Sequence, residues 1–362
     1  MPEKTPIAKF PYEEVTLLAQ EPIPNGATRT WSSVFPVGKG AGETWERIRL
    51  TFHVTLGVGV QTFPVEAGVY NFIRNIRLET SDGETIVDGP GTMLYIFNRF
   101  NDGHCPWHTP VAAAAATYEA VLDIPFGFNF LRKPEDGFLD SGAYSGLRLT
   151  ITTGPYAAGA VAGDLGVSNA AGTQVAVFDM SIIRTKAGMF NNEIVKPKFV
   201  PYIQYIGSRV PSNALQFFDI ESAQDLGLFG FMLCHGSVAR NPFDHVVAAT
   251  GLTAETDAIT SVTFGDNIIP NLVDRKLLPS FRLERHRDFK EIYPVAIPVV
   301  PNIPTVSLIG KYNHLFVKDG SIYGAYPCGN KSQIRVSYLG GGAGTNQVDA
   351  FVYGFRKKRR LY

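Results

Sequence analysis

Between residues 72 and 100 the spacing of apolar positions changes from two to about three and a half. Phe72-Ile73-Arg74-Asn75-Ile76-Arg77-Leu78-Glu79 alternates apolar and polar residues, the pattern of a strand with one buried face. Asp82-Gly83 follows, and an Asp-Gly pair beside such alternation predicts a hairpin, because the turn needs positive φ at its centre. Thr85-Ile86-Val87 is then the returning strand. Pro90 opens a stretch in which Met93, Leu94, Ile96, Phe97 and Phe100 recur at helical spacing, so a helix follows the hairpin.

The same succession returns in the second half of the chain. Ile259-Thr260-Ser261-Val262-Thr263-Phe264 alternates, Gly265-Asp266-Asn267 turns, and Ile268-Ile269 returns. Leu272, Val273, Leu277, Leu278 and Phe281 then predict a second helix, which Pro279 should kink or end early. Each half also closes on a strand, a Gly/Ala-rich loop and a Gln-Val-x-x-Phe strand. Leu147–Thr152 leads to Gln174-Val175-Ala176-Val177-Phe178, and Ile334–Leu339 leads through Gly340–Gly344 to Gln347-Val348-Asp349-Ala350-Phe351. The two glutamines lie about 170 residues apart, the length of one β-sandwich domain.

Weaker matches fill in the order. Asn25–Trp31 pairs with Ser212–Phe218, Trp45–Val54 with Asp225–Cys234, and Glu119–Pro125 with Glu291–Ile297. Each half therefore has about eight strands and one short helix, the count of a jelly roll. The expected fold is all-β, two tandem eight-stranded jelly rolls. An N-terminal arm (1–24) precedes the first (25–186), a connector (187–211) follows, and the second (212–362) carries a basic tail. Tyr12–Gln20 in the arm reads as a short helix or as an extended segment that orders on a neighbour. Pro197, Pro201 and Pro211 interrupt strand patterning in the connector, whose Phe199, Tyr202, Tyr205 and Ile206 should pack across both sandwiches.

Composition agrees with strands and turns: the chain has 36 Gly, 24 Pro, 25 Phe and 15 Tyr. Its 362 residues are enough for two cores without a metal or disulfide staple. Cys105, Cys234 and Cys328 are odd in number and far apart, so at least one is unpaired, which suits synthesis in a reducing compartment. The first residues lack the apolar stretch of a signal peptide, and no apolar run has the length of a spanning helix. Net charge is zero, so no global field recruits nucleic acid or membrane. The local exception is Arg356-Lys357-Lys358-Arg359-Arg360, either a solvated tail or a salt-dependent contact with nucleic acid or anionic lipid.

Catalytic signatures are weak. His104, Cys105 and His108 are close enough to hold zinc, but no second ligand pair appears, and a loop packed by Trp107 accounts for them. Gly38–Thr44 lacks the Gly-Lys-Ser/Thr ending of a phosphate loop, and Gly340–Gly344 is followed by a strand, against a dinucleotide site. Arg282, Glu284, Arg285, His286, Arg287 and Asp288 read as a solvated or intersubunit ion network. No Gly-x-Ser-x-Gly elbow is present. No metal, cofactor or catalytic residue is expected.

Two tandem jelly rolls with these repeated hairpins, helix and closing strands resemble the double jelly-roll major capsid proteins of tailless icosahedral viruses, a bacterial virus above all, from about Thr28 to Lys358. The resemblance implies a virion protein whose homotrimers form pseudo-hexagonal tiles. It also implies neighbouring capsomers and minor or vertex proteins as partners, with termini facing an internal membrane or genome, as the basic C-terminus suits. Long inserts at Asn101–Tyr118, Asn129–Gly146 and Pro301–Lys331 are the candidate loops for crowns and intersubunit contacts. The alternative is a carbohydrate-binding β-sandwich protein using Trp31, Trp45, Trp107 or Tyr156 as platforms, although Trp45, at a strand start, reads as core.

Overall fold

A computed structural model of the chain describes residues 12–23, 25–38, 43–55, 70, 72–102, 106, 117–155, 157–158, 161–162, 175–186, 197–210, 214–237, 261–266, 273–276, 311–317, 319–339 and 346–357. Among the described residues, sixteen principal strands fall into two sets of eight. The first set is β1 (Tyr12–Pro22), β2 (Thr28–Trp31), β3 (Glu43–Thr55), β4 (Ile73–Thr80), β5 (Thr85–Gly89), β6 (Thr117–Pro125), β7 (Leu147–Thr153) and β8 (Val175–Lys186). The second is β9 (Phe199–Arg209), β10 (Leu215–Ile220), β11 (Leu226–Ser237), β12 (Ser261–Asp266), β13 (Val273–Lys276), β14 (Lys311–Leu315), β15 (Ile334–Leu339) and β16 (Asn346–Lys357). An α-helix, α1 (Gly91–Asp102), follows β5.

The first eight strands form sheets ordered β1-β8-β3-β6 and β5-β4-β7-β2, and the second eight repeat that order as β9-β16-β11-β14 and β13-β12-β15-β10. The two halves thus share one connectivity, each an eight-stranded jelly roll. They are fused: β5 of the first half pairs in parallel with β9 of the second, Val87 opposite Ile203 and Asp88 opposite Gln204. This makes one continuous sheet, β14-β11-β16-β9-β5-β4-β7-β2.

The first hairpin forms as its sequence dictates. Gly83 has φ +85° at the tip, and Leu78 pairs with Val87 across it. Pro90 starts the helix, accepting from the Met93 and Leu94 amides.

Several expectations shift. Tyr12–Gln20 is neither helix nor an arm that waits for a neighbour: as β1 it pairs antiparallel with β8 of its own chain. The proline-interrupted connector contains an 11-residue strand, β9. Pro201 is tolerated there although strands flank β9 on both sides, because the β9–β5 ladder is confined to Ile203 and Gln204. The second helix is not formed over Val273–Lys276, which is strand β13, paired with β12. Leu277–Phe281 lies outside the described residues, as does Glu291–Ile297. The strand holding the β6 position is Lys311–Leu315, inside the stretch expected as a long loop.

Two cores result. The first gathers the inner faces of sheets β1-β8-β3-β6 and β5-β4-β7-β2 with α1. The second lies between β9-β16-β11-β14 and β10-β15-β12-β13. Phe229, Met232, Cys234, Phe351 and Tyr353 of β11 and β16 belong to the first core, whereas Leu228, Phe231, Leu233, Val348, Ala350 and Val352 of the same strands belong to the second. Being buried on both faces explains the nearly unbroken apolar run Leu226–Cys234.

Candidate assembly surfaces

The seam between the halves is aromatic. On the first-half side α1 contributes Phe97 and Phe100, and the loop after β6 contributes Phe128 and Phe130. Against them the second half sets Tyr353, whose ring centroid lies 5.2 Å from Phe97, 5.6 Å from Phe100 and 5.7 Å from Phe130. Phe229 lies 5.3 Å from Phe128 in an edge-to-face arrangement, and Phe199 and Phe355 continue the stack. Such pairs add about 0.5–1.5 kcal/mol each beyond area burial. The Tyr353 hydroxyl donates to Asn313 Oδ1 at 2.7 Å, satisfying its polar end.

Polar clamps flank this stack. Lys198 Nζ meets Asp136 Oδ2 at 3.0 Å, the Lys198 amide donates to the Asp136 carbonyl, and Arg132 Nε donates to the Asp319 carbonyl at 2.8 Å. Gly320, at φ +72°, lets its chain approach the Phe130 carbonyl. Asn129–Gly146, expected as a crown or intersubunit loop, therefore folds back on its own chain: Leu139 and Asp140 pair with Trp45 and Thr44, and Leu131 is buried.

The counterpart surface on the first half is charged. The outer face of β1-β8-β3-β6 carries Arg47, held by Asp123 at 2.9 Å and Asp102 at 3.1 Å, and Arg49, held by Asp123 at 3.0 Å. Burial opposes the Arg47 charge, but the carboxylates of Asp102, Asp123 and Glu46 more than offset it and hold the guanidinium above its usual range. His53 lies between Glu119 at 3.1 Å and Asp179 at 3.0 Å. Arg184 reaches Glu43 and Glu13.

The basic run divides. Arg356 ends β16 over the Tyr202 ring at 5.0 Å and pairs with Glu221 at 3.1 Å and Asp225 at 3.3 Å. Burial works against its charge and Glu221 restores it, so the group is held above its usual range. It is a strand anchor, not part of a solvated tail. Lys357 is exposed, with its backbone paired to Phe199. Lys358, Arg359 and Arg360 lie outside the described residues.

The aromatic platforms considered for sugar binding fare differently. Trp45 is fully buried, and Trp31 packs edge-on to Phe178 at 5.1 Å. Trp107, Tyr156, His104, Cys105, His108 and the 282–288 cluster are outside the described residues. Missed by the sequence reading is an exposed strip on β10: Leu215 is 62% and Phe217 42% exposed, with the Arg335 guanidinium 3.9 Å from the Phe217 ring centroid. Among the described residues no group of His, Cys, Asp or Glu is placed to hold a metal.

Neither a protein-family profile nor a curated sequence matches the chain. Its architecture does match solved structures. The STIV major capsid protein aligns over 96% of this chain and 97% of its own, with TM-score 0.62 and 11% identity. The fold is the double jelly roll of viral major capsid proteins. The major capsid protein P2 of bacteriophage PM2 aligns over 97% and 99% of the two chains (TM-score 0.54, 11% identity), and that of Faustovirus over 99% and 92% (TM-score 0.54, 11% identity). Within this double jelly roll, the aromatic seam was hidden in sequence because its members are scattered from Phe97 to Phe355 and read locally as ordinary core.

Proposed function

We propose that the chain is a structural major capsid protein whose homotrimers form pseudo-hexameric tiles of an icosahedral shell, with no catalytic role. The observation that carries this reading is the fusion of two identically connected sandwiches through β5 and β9, in the fold that the PM2, STIV and Faustovirus capsid proteins share over nearly their whole length. A bacterial-virus source is supported by the PM2 neighbour, alongside the STIV and Faustovirus proteins of the same fold. The exposed Leu215 and Phe217 suit lateral contact with a neighbouring capsomer. Minor or vertex proteins are further partners, and residues 357–360 are the segment for contact with an internal membrane or the genome. Burial of Trp31 and Trp45 weighs against the sugar-binding alternative.

The test is native mass with negative-stain imaging. A species of about three times 39.6 kDa with a hexagonal outline, or closed shells, is expected. A monomer at all concentrations and salts would overturn the reading.

A further inference from the structure

The seam inside one chain has a duplicate with no described partner strand. Across β2-β7-β4-β5 one row of opposed residues runs Trp31, Leu149, Leu78, Val87. Across β10-β15-β12-β13 the equivalent row runs Phe218, Val336, Phe264, Val273. The outermost residue of each row is therefore the valine of a Val-Asp pair: Val87-Asp88 on β5 and Val273-Asp274 on β13. In the first half this pair is where β9 adds in parallel, Ile203 opposite Val87 and Gln204 opposite Asp88. In the second half, among the described residues, no strand lies beyond β13. The strand topologically equivalent to β9 is β1, and it too ends its sheet, with β8 on one side and no described strand on the other. β1 and β13 belong to the two sheets that the halves do not share.

We infer that the outer edge of β13 in one copy receives β1 of a second copy as a parallel strand at Val273-Asp274, repeating between chains the β5–β9 contact made within each. This inference rests on the capsomer reading and gives it a specific interface. The contact is head-to-tail, so it needs one surface from each end of the molecule and closes only at a rotation that returns to the start. Three copies supply six sandwiches in which every junction has the same topology.

The two kinds of junction differ in chemistry. Where the second half offers its neighbour Phe229, Phe355 and Tyr353, the equivalent face of the first half offers Arg47, Arg49, His53, Asp123 and Asp179. The junction within a chain is thus dry and permanent, and the junction between chains is polar and weakened by salt.

Cysteine pairing tests this. Asp274→Cys is combined in turn with Thr16→Cys, Leu17→Cys and Leu18→Cys, the assembled protein is oxidised mildly, and products are separated without reductant. Covalent dimers and trimers are expected from at least one double variant and from none of the single variants. In the unaltered chain, amide exchange over 12–22 and 273–276 should slow at least tenfold on going from dilute monomer to trimer, while 28–31 stays unchanged. A trimer by native mass that gives neither cross-link nor slowed exchange would overturn this interface and leave the capsomer standing. A monomer by native mass would overturn both.

Discussion

Cys328 shows how position silences a reactive group. It is fully buried, and desolvation, reinforced by Glu221, pushes its thiol up to about 12, so almost no thiolate exists near neutrality. Iodoacetamide at pH 8 should therefore leave Cys328 unmodified in the folded protein and label it after denaturation, as read by peptide mass mapping. Rapid labelling of the native chain would show that this pocket opens. Phe229 makes the opposite point, since it touches residues of both halves. Phe229→Ala should cost about 3–5 kcal/mol in denaturant unfolding, and a loss below about 1 kcal/mol would remove it from the seam. Neither role is visible locally: Arg356 and Glu221 pair across 135 residues of sequence, and no short-range pattern encodes such a partner.

Elements built from local signals were the legible ones. The β4–β5 hairpin and α1 formed where alternation, Asp82-Gly83 and Pro90 placed them. Gly83 has φ +85°, so Gly83→Val should destabilise by roughly 1–3 kcal/mol, and an unchanged melting curve would mean the turn adapts freely. Gly354 is held for a different reason: a Cβ there would meet the Gly227 carbonyl oxygen and lie 2.8 Å from Leu228 Cα, forcing β16 away from β11. Gly354→Ala should cost at least about 1–3 kcal/mol by the same melting assay. Less legible was the position of β14, because Lys311–Leu315 carries only five residues of pattern. The Gln-Val-x-x-Phe repeat also misleads in register. Phe178 faces the core of its own half, whereas Phe351 faces the other half. A slip of one residue turns a strand over, so matched spacing does not guarantee matched faces.

For the whole molecule, shared strands mean shared fate. Because β11 and β16 line both cores, heating should give one calorimetric transition whose van't Hoff and calorimetric enthalpies agree; two resolved transitions would show that the sandwiches melt separately. The basic end has a separable role. Removing residues 358–362 while keeping Arg356 should leave this transition in place and weaken binding to anionic vesicles or DNA, most strongly at low salt. Unchanged binding would return the segment to a solubilising role. Self-association and the basic end were expected from the sequence as separate features; what it could not supply was the division between Arg356, locked to Glu221 and Asp225, and the residues after it.

The last described strand, β16, occupies the middle of the largest sheet, between β11 and β9. Until β16 is in place, β9 and β11 have no common neighbour, and the first core lacks Phe351 and Tyr353. A product cut short before residue 346 would therefore hold two incomplete cores and a gap at their junction, marking it for proteolysis. The central place of β16 thus makes synthesis through residue 357 a condition for closing both cores.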